Sequence, residues 1–203
     1  MPLSIAAIIL AAGSSSRMGR PKQLLPYGGE TLLGQACSTA LASVCDPVLV
    51  VIGSSADLIK GALTSLPVEI AENPHWERGL GASLKVGIQV IADRPEVSAA
   101  LILLCDQPLV TSRHLDQLVD CYRSTGAPIV ASAYSGQLGV PALFDRGLFP
   151  ELLALEDGSG AKKLLGRDPG RVLSVPLEDG HVDVDTVGEY ESLLSRTPEV
   201  PPH

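Results

Sequence analysis

The chain of 203 residues has few cysteines, no long uninterrupted apolar run and no acidic residue in its first part. Its four cysteines form no CxxC pair and match none of the usual spacings of metal ligands, which favours reduced, buried thiols over a disulfide framework or a zinc site. They are Cys37, Cys45, Cys105 and Cys121. Although 45% of the residues are hydrophobic, no stretch approaches the roughly 20 apolar residues that a membrane span requires. We therefore expect a globular protein without a membrane span.

The apolar run Leu3–Ala12 resembles the core of a signal peptide only in its hydrophobicity. No Lys or Arg precedes it, and it leads into a Gly/Ser loop instead of a short cleavage site. The sequence therefore predicts a cytoplasmic protein.

Charge is distributed unevenly along the chain. The first acidic residue is Glu30, whereas Arg17, Arg20 and Lys22 precede it, so residues 1–29 carry a charge of +3. The remaining 12 basic and 23 acidic residues give residues 30–203 a charge of −11 and the whole chain a net charge of −8. This balance argues against nucleic acid as the main partner, because nucleic-acid binding needs a broad basic surface. The local positive charge instead predicts an anion site within the first 29 residues.

Apolar, β-branched runs alternate with segments of helical length. The predicted strands are Leu3–Leu10, Val48–Gly53, Ala99–Leu104 and Pro128–Ala133. The predicted helices are Thr31–Cys45, Ser54–Leu63, Ser83–Ala92 and Ser112–Tyr122, with Thr31, Ser54 and Ser83 as N-caps of the first three. Strands that are apolar on both faces are typical of buried parallel sheets. The alternation therefore predicts an α/β protein with a Rossmann-like, doubly wound, mostly parallel sheet.

The pattern is weaker after residue 133. Gly136–Phe144, Asp157–Leu165 and Arg171–Val175 are short segments broken by Gly and Pro, and we expect them to form a small mixed β lid packed on the sheet. No linker is evident, which predicts a single domain over residues 1–196 and a flexible tail over residues 197–203.

The most informative stretch runs from Leu10 to Lys22. It lacks both the G-x-G-x-x-G of dinucleotide sites and the G-x4-G-K-[ST] of P-loops, because five residues separate Gly13 from Gly19 and Lys22 follows later. What remains is a Gly/Ser turn at the carboxyl end of the first predicted strand, where doubly wound sheets bind ligands, with free backbone N–H groups and three cations. It could be a solvated basic loop, but its position favours binding of a triphosphate.

The run LAAGSSSRMGRPKQLLP, residues 10–26, resembles the signature LAAG-x3-R-M-G-x2-K of the MobA-like nucleotidyltransferases, and within them the molybdenum cofactor cytidylyltransferases. The resemblance implies a fold of the nucleotide-diphospho-sugar transferase type. It also implies that Arg17 contacts the leaving phosphates and Lys22 the α-phosphate. The residues implied to hold the base and ribose are Leu10, Ala11, Ala12 and Gly13.

Acidic residues downstream are candidates for a metal site. Asp106 follows a buried predicted strand and precedes Gln-Pro, so it can face the loop after the first predicted strand (residues 11–22, the first loop). The less favoured alternative is that Asp106 merely caps the turn before Ser112. In His181–Thr186, alternation predicts a short strand with His181, Asp183 and Asp185 on one face, either around a cation or at a solvent-exposed edge. The family resemblance implies that Asp106 and Asp185 bind Mg²⁺, with Asp183 a weaker candidate, and that Arg17, Lys22 and Asp106 are catalytic.

Three further segments carry the resemblance. Asn73–Leu84 is similar to the family's N-x2-W-x2-G-x3-S-L, which implies that Gly79 and Ser83 bind the nucleotide. Gly139-Val-Pro141 and Lys162 lie in segments that border the acceptor in relatives. Ser159 stands where relatives usually carry Asp, and Lys162 stands where they carry Arg.

The resemblance implies a Mg²⁺-dependent nucleotidyltransferase that joins a nucleoside monophosphate to the phosphate of molybdopterin and releases pyrophosphate, with a molybdenum hydroxylase as the possible recipient. Ala12 stands where GTP-using relatives tend to carry Gly, which favours CTP over GTP. The alternatives are a nucleotidyltransferase for a sugar phosphate or another small phosphate, and a non-catalytic maturation factor that binds the cofactor. The absent glycine pattern disfavours an NAD-binding oxidoreductase.

Overall fold

The computed structural model describes residues 3–167 and 169–196. The strands are β1 (Ser4–Leu10), β2 (Pro26–Tyr27), β3 (Glu30–Thr31), β4 (Val48–Ile52), β5 (Glu69–Glu72), β6 (Val97–Leu104), β7 (Ile129–Tyr134), β8 (Gln137–Asp145) and β9 (Val172–Pro176). The α-helices are α1 (Leu32–Leu41), α2 (Ala56–Leu63), α3 (Leu80–Ala92), α4 (Ser112–Thr125), α5 (Phe149–Leu153), α6 (Lys162–Leu165) and α7 (Val187–Arg196). None of the helices in these two ranges is long and apolar enough to cross a membrane.

Seven strands form one sheet in the order β5-β4-β1-β6-β8-β7-β9, and β2 and β3 form a separate hairpin. The pairings of β5 with β4, β4 with β1, β1 with β6 and β7 with β9 are parallel. Strand β8 is antiparallel to both of its neighbours, β6 and β7. The mostly parallel α/β sheet that the alternation predicts is confirmed.

The central strands are buried on both faces because helices cover both sides of the sheet. Successive residues of β1 point to opposite sides, so Ile9 packs in a core with α1, α2 and α4, and Ile8 packs in a second core with α3, α5 and α6. A third, smaller apolar cluster joins the first loop to the C-terminal segment. It contains Met18, Leu25, Leu32, Val184, Tyr190 and Leu193.

The segments expected to form a small mixed β lid packed on the sheet are placed differently in the structure. The predicted segment that starts at Gly136 becomes β8, which inserts between β6 and β7 in the main sheet, and the segment that starts at Arg171 becomes the edge strand β9. Asp157–Leu165 forms a loop and the short helix α6, which packs on the α3 side. These strands join the sheet because β6 and β7 offer them backbone partners, which a pattern of apolar residues along the chain does not reveal. The predicted tail, residues 197–203, lies outside the described residues.

Of the three predicted helix N-caps, one is confirmed and two are corrected. Thr31 caps α1 as expected, and its side chain accepts a hydrogen bond from the Gly34 N–H at 2.9 Å. Helix α3, however, begins at Leu80, so Ser83 lies inside it and is not its N-cap, and the N-cap of α2 is Ser55. The predicted strand over His181–Thr186 was wrong: His181 lies in a turn, and residues 182–185 have no regular secondary structure.

A buried polar pair couples α4 to the sheet. Nε2 of His114 lies 2.7 Å from the Ser132 hydroxyl, which donates to the Pro141 carbonyl at 2.6 Å. The Ser132 proton is thereby used, so the imidazole donates from Nε2 in its neutral form. Burial lowers the pKa of His114 below its ordinary value.

This pair predicts a pH dependence of stability. Below about pH 6.5 the unfolded chain binds a proton at His114 that the folded chain does not. The free energy of unfolding should therefore decrease as the pH decreases, by at most about 1.4 kcal/mol per pH unit. In His114→Gln this contribution is absent, and urea unfolding between about pH 7 and pH 5 should show a shallower decline. The exposed His75→Gln variant serves as control and should follow the wild type. Parallel curves for wild type and His114→Gln would contradict the prediction.

Candidate active site

The first loop leaves β1 at the centre of the sheet. The Ala11 N–H still donates to the Val51 carbonyl at 2.8 Å, and the chain then turns away from the strand. The loop closes on itself where the Lys22 N–H donates to the Ser15 hydroxyl at 3.0 Å. This closure places the side chain of Lys22 beside the end of β6.

Lys22 connects two carboxylates that are far apart in sequence. Its Nζ lies 2.5 Å from Oδ2 of Asp106 and 2.7 Å from Oδ1 of Asp185. Arg17 contacts the other oxygen of Asp185 at 2.9 Å. The side chains of Lys22 and Asp106 are 12% and 15% exposed, whereas that of Arg17 is 68% exposed. Lys22 and Asp106 are thus the inner pair, and Arg17 is the outer cation available to a ligand from solvent.

The C-terminal segment brings Asp185 to this position. Its neighbour Val184 is fully buried in the third apolar cluster, and the Val184 N–H donates to the Asp106 carbonyl at 3.0 Å. Tyr190 of α7 donates from its hydroxyl to the Pro26 carbonyl at 2.6 Å, which ties α7 to the end of the first loop. As predicted, Val184 packs in the core and its neighbour Asp185 faces the site, although the segment is not a strand.

The charges of the cluster depend on one another. Burial would lower the pKa of Lys22, but the carboxylates of Asp106 and Asp185 outweigh it and raise that pKa above its ordinary value. The hydrogen bond from Lys22 lowers the pKa of Asp185. Burial, together with the nearby charge of Asp106, raises the pKa of Asp183 to about 6. At neutral pH the Lys22 ammonium is therefore charged, as is the carboxylate of Asp185.

A cavity of about 370 Å³ opens between the first loop and the N-terminal end of α3. Its lining includes most of the predicted nucleotide-binding residues. They are Leu10, Ala11, Ala12, Gly13, Lys22, Gly79 and Ser83, together with Asp106. Arg17 is not among the lining residues and reaches the cluster through Asp185.

Close backbone approaches shape the far wall of this cavity. A Cβ at Gly81 would lie 2.4 Å from the carbonyl oxygens of Glu156 and Ser159, and one at Gly79, whose φ is +119°, would lie 2.7 Å from that of Asp157. Only glycine leaves room for the 156–160 loop at these two positions. Lys85 also holds that loop, through Asp157 at 2.6 Å.

A second cavity of about 190 Å³ adjoins the first and shares Leu10, Leu80 and Leu104 with it. Lys162 lines this cavity, as do Tyr134 and Asp183. The other two predicted acceptor residues, Gly139 and Pro141, are buried in β8 and do not line it, whereas Val140 between them does. A Cβ at Gly139 would clash with the Tyr134 ring, so this glycine makes room for Tyr134.

The fold, the loop and the cluster can be compared with known proteins. The family described as MobA-like NTP transferase domain matches residues 7–172, which include the first loop, Lys22 and Asp106. The chain belongs to this family. It is therefore a nucleotidyltransferase of the MobA-like type, as the sequence resemblance implies. Asp185 lies beyond the matched residues.

Individual relatives match over nearly their whole length. Nicotine blue oxidoreductase of Paenarthrobacter nicotinovorans is 31% identical over 201 residues, which cover 94% of this chain and 96% of that protein. Purine catabolism protein PucB of Bacillus subtilis is 32% identical over 196 residues, which cover 92% of this chain and 94% of that protein. The crystal structure of Rv0371c from Mycobacterium tuberculosis has a TM-score of 0.83 at 31% identity and covers 96% of this chain and 100% of that chain. A complex of Rv0371c with manganese has a TM-score of 0.75 at 30% identity, with the same coverage.

One carboxylate oxygen of this MobA-like site is available to a divalent cation. Oδ1 of Asp106 is buried and has no hydrogen-bond partner among the described residues, and such an oxygen is satisfied when it coordinates a cation. Mg²⁺ is commonly held by one or two carboxylates together with water and substrate phosphates. Residues 3–167 and 169–196 contain no group of three or more His, Cys, Asp or Glu side chains suited to a metal. Within the described residues, Asp106 therefore has a free oxygen for a cation that is shared with bound phosphates, whereas the two oxygens of Asp185 are paired with Lys22 and Arg17.

Sequence reasoning missed two polar residues of the site. Gln23 is 1% exposed and lines the first cavity. Asn73 is 2% exposed and donates to the Ser83 hydroxyl at 3.0 Å, which orients Ser83 in the cavity wall. The sequence signal for Gln23 was its position as a polar residue directly after the signature residue Lys22. Asn73 is the first residue of the motif quoted above, but the sequence analysis assigned it no role.

Proposed function

We propose that this nucleotidyltransferase transfers the cytidylyl group of CTP to the terminal phosphate of a molybdopterin-type acceptor in the cytoplasm. The observation that carries the proposal is the position of Lys22, which lies between Asp106 and Asp185 in the wall of a cavity of nucleotide size. A molybdenum hydroxylase is the proposed recipient of the product.

The reaction forms one P–O bond and breaks another. An acceptor phosphate oxygen attacks the α-phosphorus of the NTP, and the bond from that phosphorus to the pyrophosphate oxygen breaks. The acceptor phosphate is already anionic at neutral pH, so no side chain needs to remove a proton. What the protein must supply is alignment and positive charge.

The side chains divide these tasks. Lys22 stays protonated and donates to the α-phosphoryl oxygens, where negative charge builds up in the transition state. Arg17, the exposed cation, holds the leaving pyrophosphate. Asp106 and Asp185 would hold a divalent cation, for which we propose Mg²⁺; when bound, this cation neutralises charge on the reacting phosphates. The manganese complex of Rv0371c supports a divalent cation in this family.

The second cavity is proposed to hold the acceptor. It adjoins the first cavity, and Lys162 provides a cation in its wall for an anionic pterin phosphate. Lys162 Nζ now donates to Gln137 Oε1 at 3.1 Å, an exposed contact that a phosphate can replace. Gly139 and Pro141 border this site indirectly, because they hold Val140 in the cavity wall.

A turnover assay tests the proposal. The purified protein is incubated with Mg²⁺ and CTP, GTP or ATP, with either molybdopterin or a sugar 1-phosphate as acceptor. Pyrophosphate is measured, and the adduct is identified by mass spectrometry. We expect pyrophosphate release with CTP and molybdopterin and a product heavier than the acceptor by one cytidylyl group. Chelation of divalent cations with EDTA should abolish release, and added Mg²⁺ should restore it.

Other outcomes identify the alternatives. Pyrophosphate release with a sugar 1-phosphate but not with molybdopterin would show that the proposed acceptor is wrong. A clear preference for GTP would show that the proposed nucleotide is wrong. Binding of molybdopterin without pyrophosphate release would point to a maturation factor. Because one relative is named an oxidoreductase, oxidation of NADH is followed in parallel, and NADH oxidation without nucleotidyl transfer would overturn the proposal.

A further inference from the structure

Gln23 is a buried amide inside the nucleotide cavity wall. Its Nε2 donates to the carbonyl oxygens of Ala11 at 2.9 Å and Gly13 at 2.8 Å. Its Oε1 accepts from the Ser15 hydroxyl at 3.2 Å. One side chain is therefore hydrogen-bonded to two carbonyls at the start of the first loop and to one hydroxyl in its middle.

The two carbonyl contacts also orient the N–H groups that follow them. In a trans peptide the C=O and the next N–H point in opposite directions. Because the Ala11 and Gly13 carbonyls point toward Gln23, the N–H groups of Ala12 and Ser14 point away from it. Both of these residues line the cavity.

Two neighbouring carbonyls of the loop are occupied as well. The Leu10 carbonyl accepts from the Cys105 N–H at 3.4 Å, and the Ala12 carbonyl accepts from the Ser54 N–H at 3.0 Å. In contrast, the N–H groups of residues 12–14 have no partner within the part of the chain that the structure describes. The carbonyls of residues 10–13 are thus engaged within the protein, whereas the N–H groups of residues 12–14 remain for a ligand.

We propose, on the basis of the function proposed above, that Gln23 is a specificity-determining residue that selects the base of the nucleotide by keeping the Ala11 and Gly13 carbonyls out of reach. Cytosine presents two acceptors, O2 and N3, to a surface of donors. Guanine presents the donors N1–H and N2–H₂, and the Ala11 and Gly13 carbonyls cannot accept from them while Gln23 occupies both. A buried donor that lacks its acceptor strongly disfavours binding. Gln23 thereby favours CTP over GTP without touching the base.

The test replaces the amide and measures a preference. In Gln23→Leu and Gln23→Met the two carbonyls lose the donor that holds them turned toward residue 23, so their peptides are free to turn toward a ligand. We expect the ratio of the dissociation constants for GTP and CTP, measured by calorimetry with Mg²⁺ present, to fall by about tenfold or more. Gln89→Leu, which removes an exposed amide in α3, should keep the wild-type ratio. Circular dichroism checks that each variant is folded.

Equal weakening of CTP and GTP in folded variants would mean that Gln23 only supports the loop, and would overturn the inference. A measurement on the wild type needs no variant: inosine triphosphate lacks the 2-amino donor of GTP and should bind about tenfold more tightly than GTP. Equal affinity for these two nucleotides would also overturn it. The proposed function fails separately, if the wild type binds no NTP or prefers GTP to CTP.

Discussion

Replacement of Lys22 by alanine is expected to slow pyrophosphate release about a hundred- to a thousandfold, which corresponds to roughly 3–4 kcal/mol of transition-state stabilisation. The ammonium is the inner cation of the site, and the adjacent carboxylates keep it protonated. Its charge acts on oxygens that become more negative as the reaction proceeds, so the loss should fall on kcat more than on KM. Steady-state kinetics of pyrophosphate release measure both constants.

The control for this variant is Lys60→Ala, which removes an exposed lysine paired with Glu72 on another face. It should retain wild-type turnover. Folding of Lys22→Ala is checked by circular dichroism, because Asp106 and Asp185 lose the cation between them. A folded Lys22→Ala protein that releases pyrophosphate at the wild-type rate would remove Lys22 from the mechanism.

Asp106→Asn is expected to lose a similar factor of about a hundred- to a thousandfold in turnover, for a different reason. The substitution keeps the shape of the side chain but removes the charge that pairs with Lys22 and would hold the divalent cation. Binding of Mn²⁺ in the presence of CTP, followed by electron paramagnetic resonance, should weaken together with turnover. This second readout separates loss of the cation from misplacement of Lys22.

Asp93→Asn provides the matched control, since Asp93 is an exposed carboxylate at the end of α3. It should bind Mn²⁺ and turn over as the wild type does. If Asp106→Asn bound Mn²⁺ with unchanged affinity, the cation would have to be assigned to other ligands, and the proposed roles of Asp106 and Asp185 would fail together.

Local sequence patterns were sufficient for the buried strands β1, β4 and β6 and for the helices between them. Runs such as Val48–Gly53 are apolar on both faces, and only a strand covered by helices on both sides accommodates such a run without exposing it. The edge strand β5 was missed for the opposite reason. Most of its residues, Glu69–Glu72, are exposed, and it is a strand because its backbone pairs with β4.

The boundary of α3 illustrates a second limit. Ser83 has the chemistry of an N-cap, but the helix begins three residues earlier, where the Ala82 N–H donates to the Asp157 carbonyl. A distant loop thus supplies the partner that a local cap would have provided. In place of capping, Ser83 lines the cavity and accepts from Asn73.

The sequence by itself determined the alternation of strands and helices, the position of the Gly/Ser loop at a strand end and the family. These are local properties, set by the period of apolar residues and by a contiguous motif. Only the tertiary structure decided which groups meet. Asp185 contacts Lys22 across 163 positions because Val184 and Tyr190 pack against the first loop, and Gln23 turns inward because loop carbonyls need donors once they are buried. Such partners depend on packing in three dimensions, which spacing along the chain does not encode.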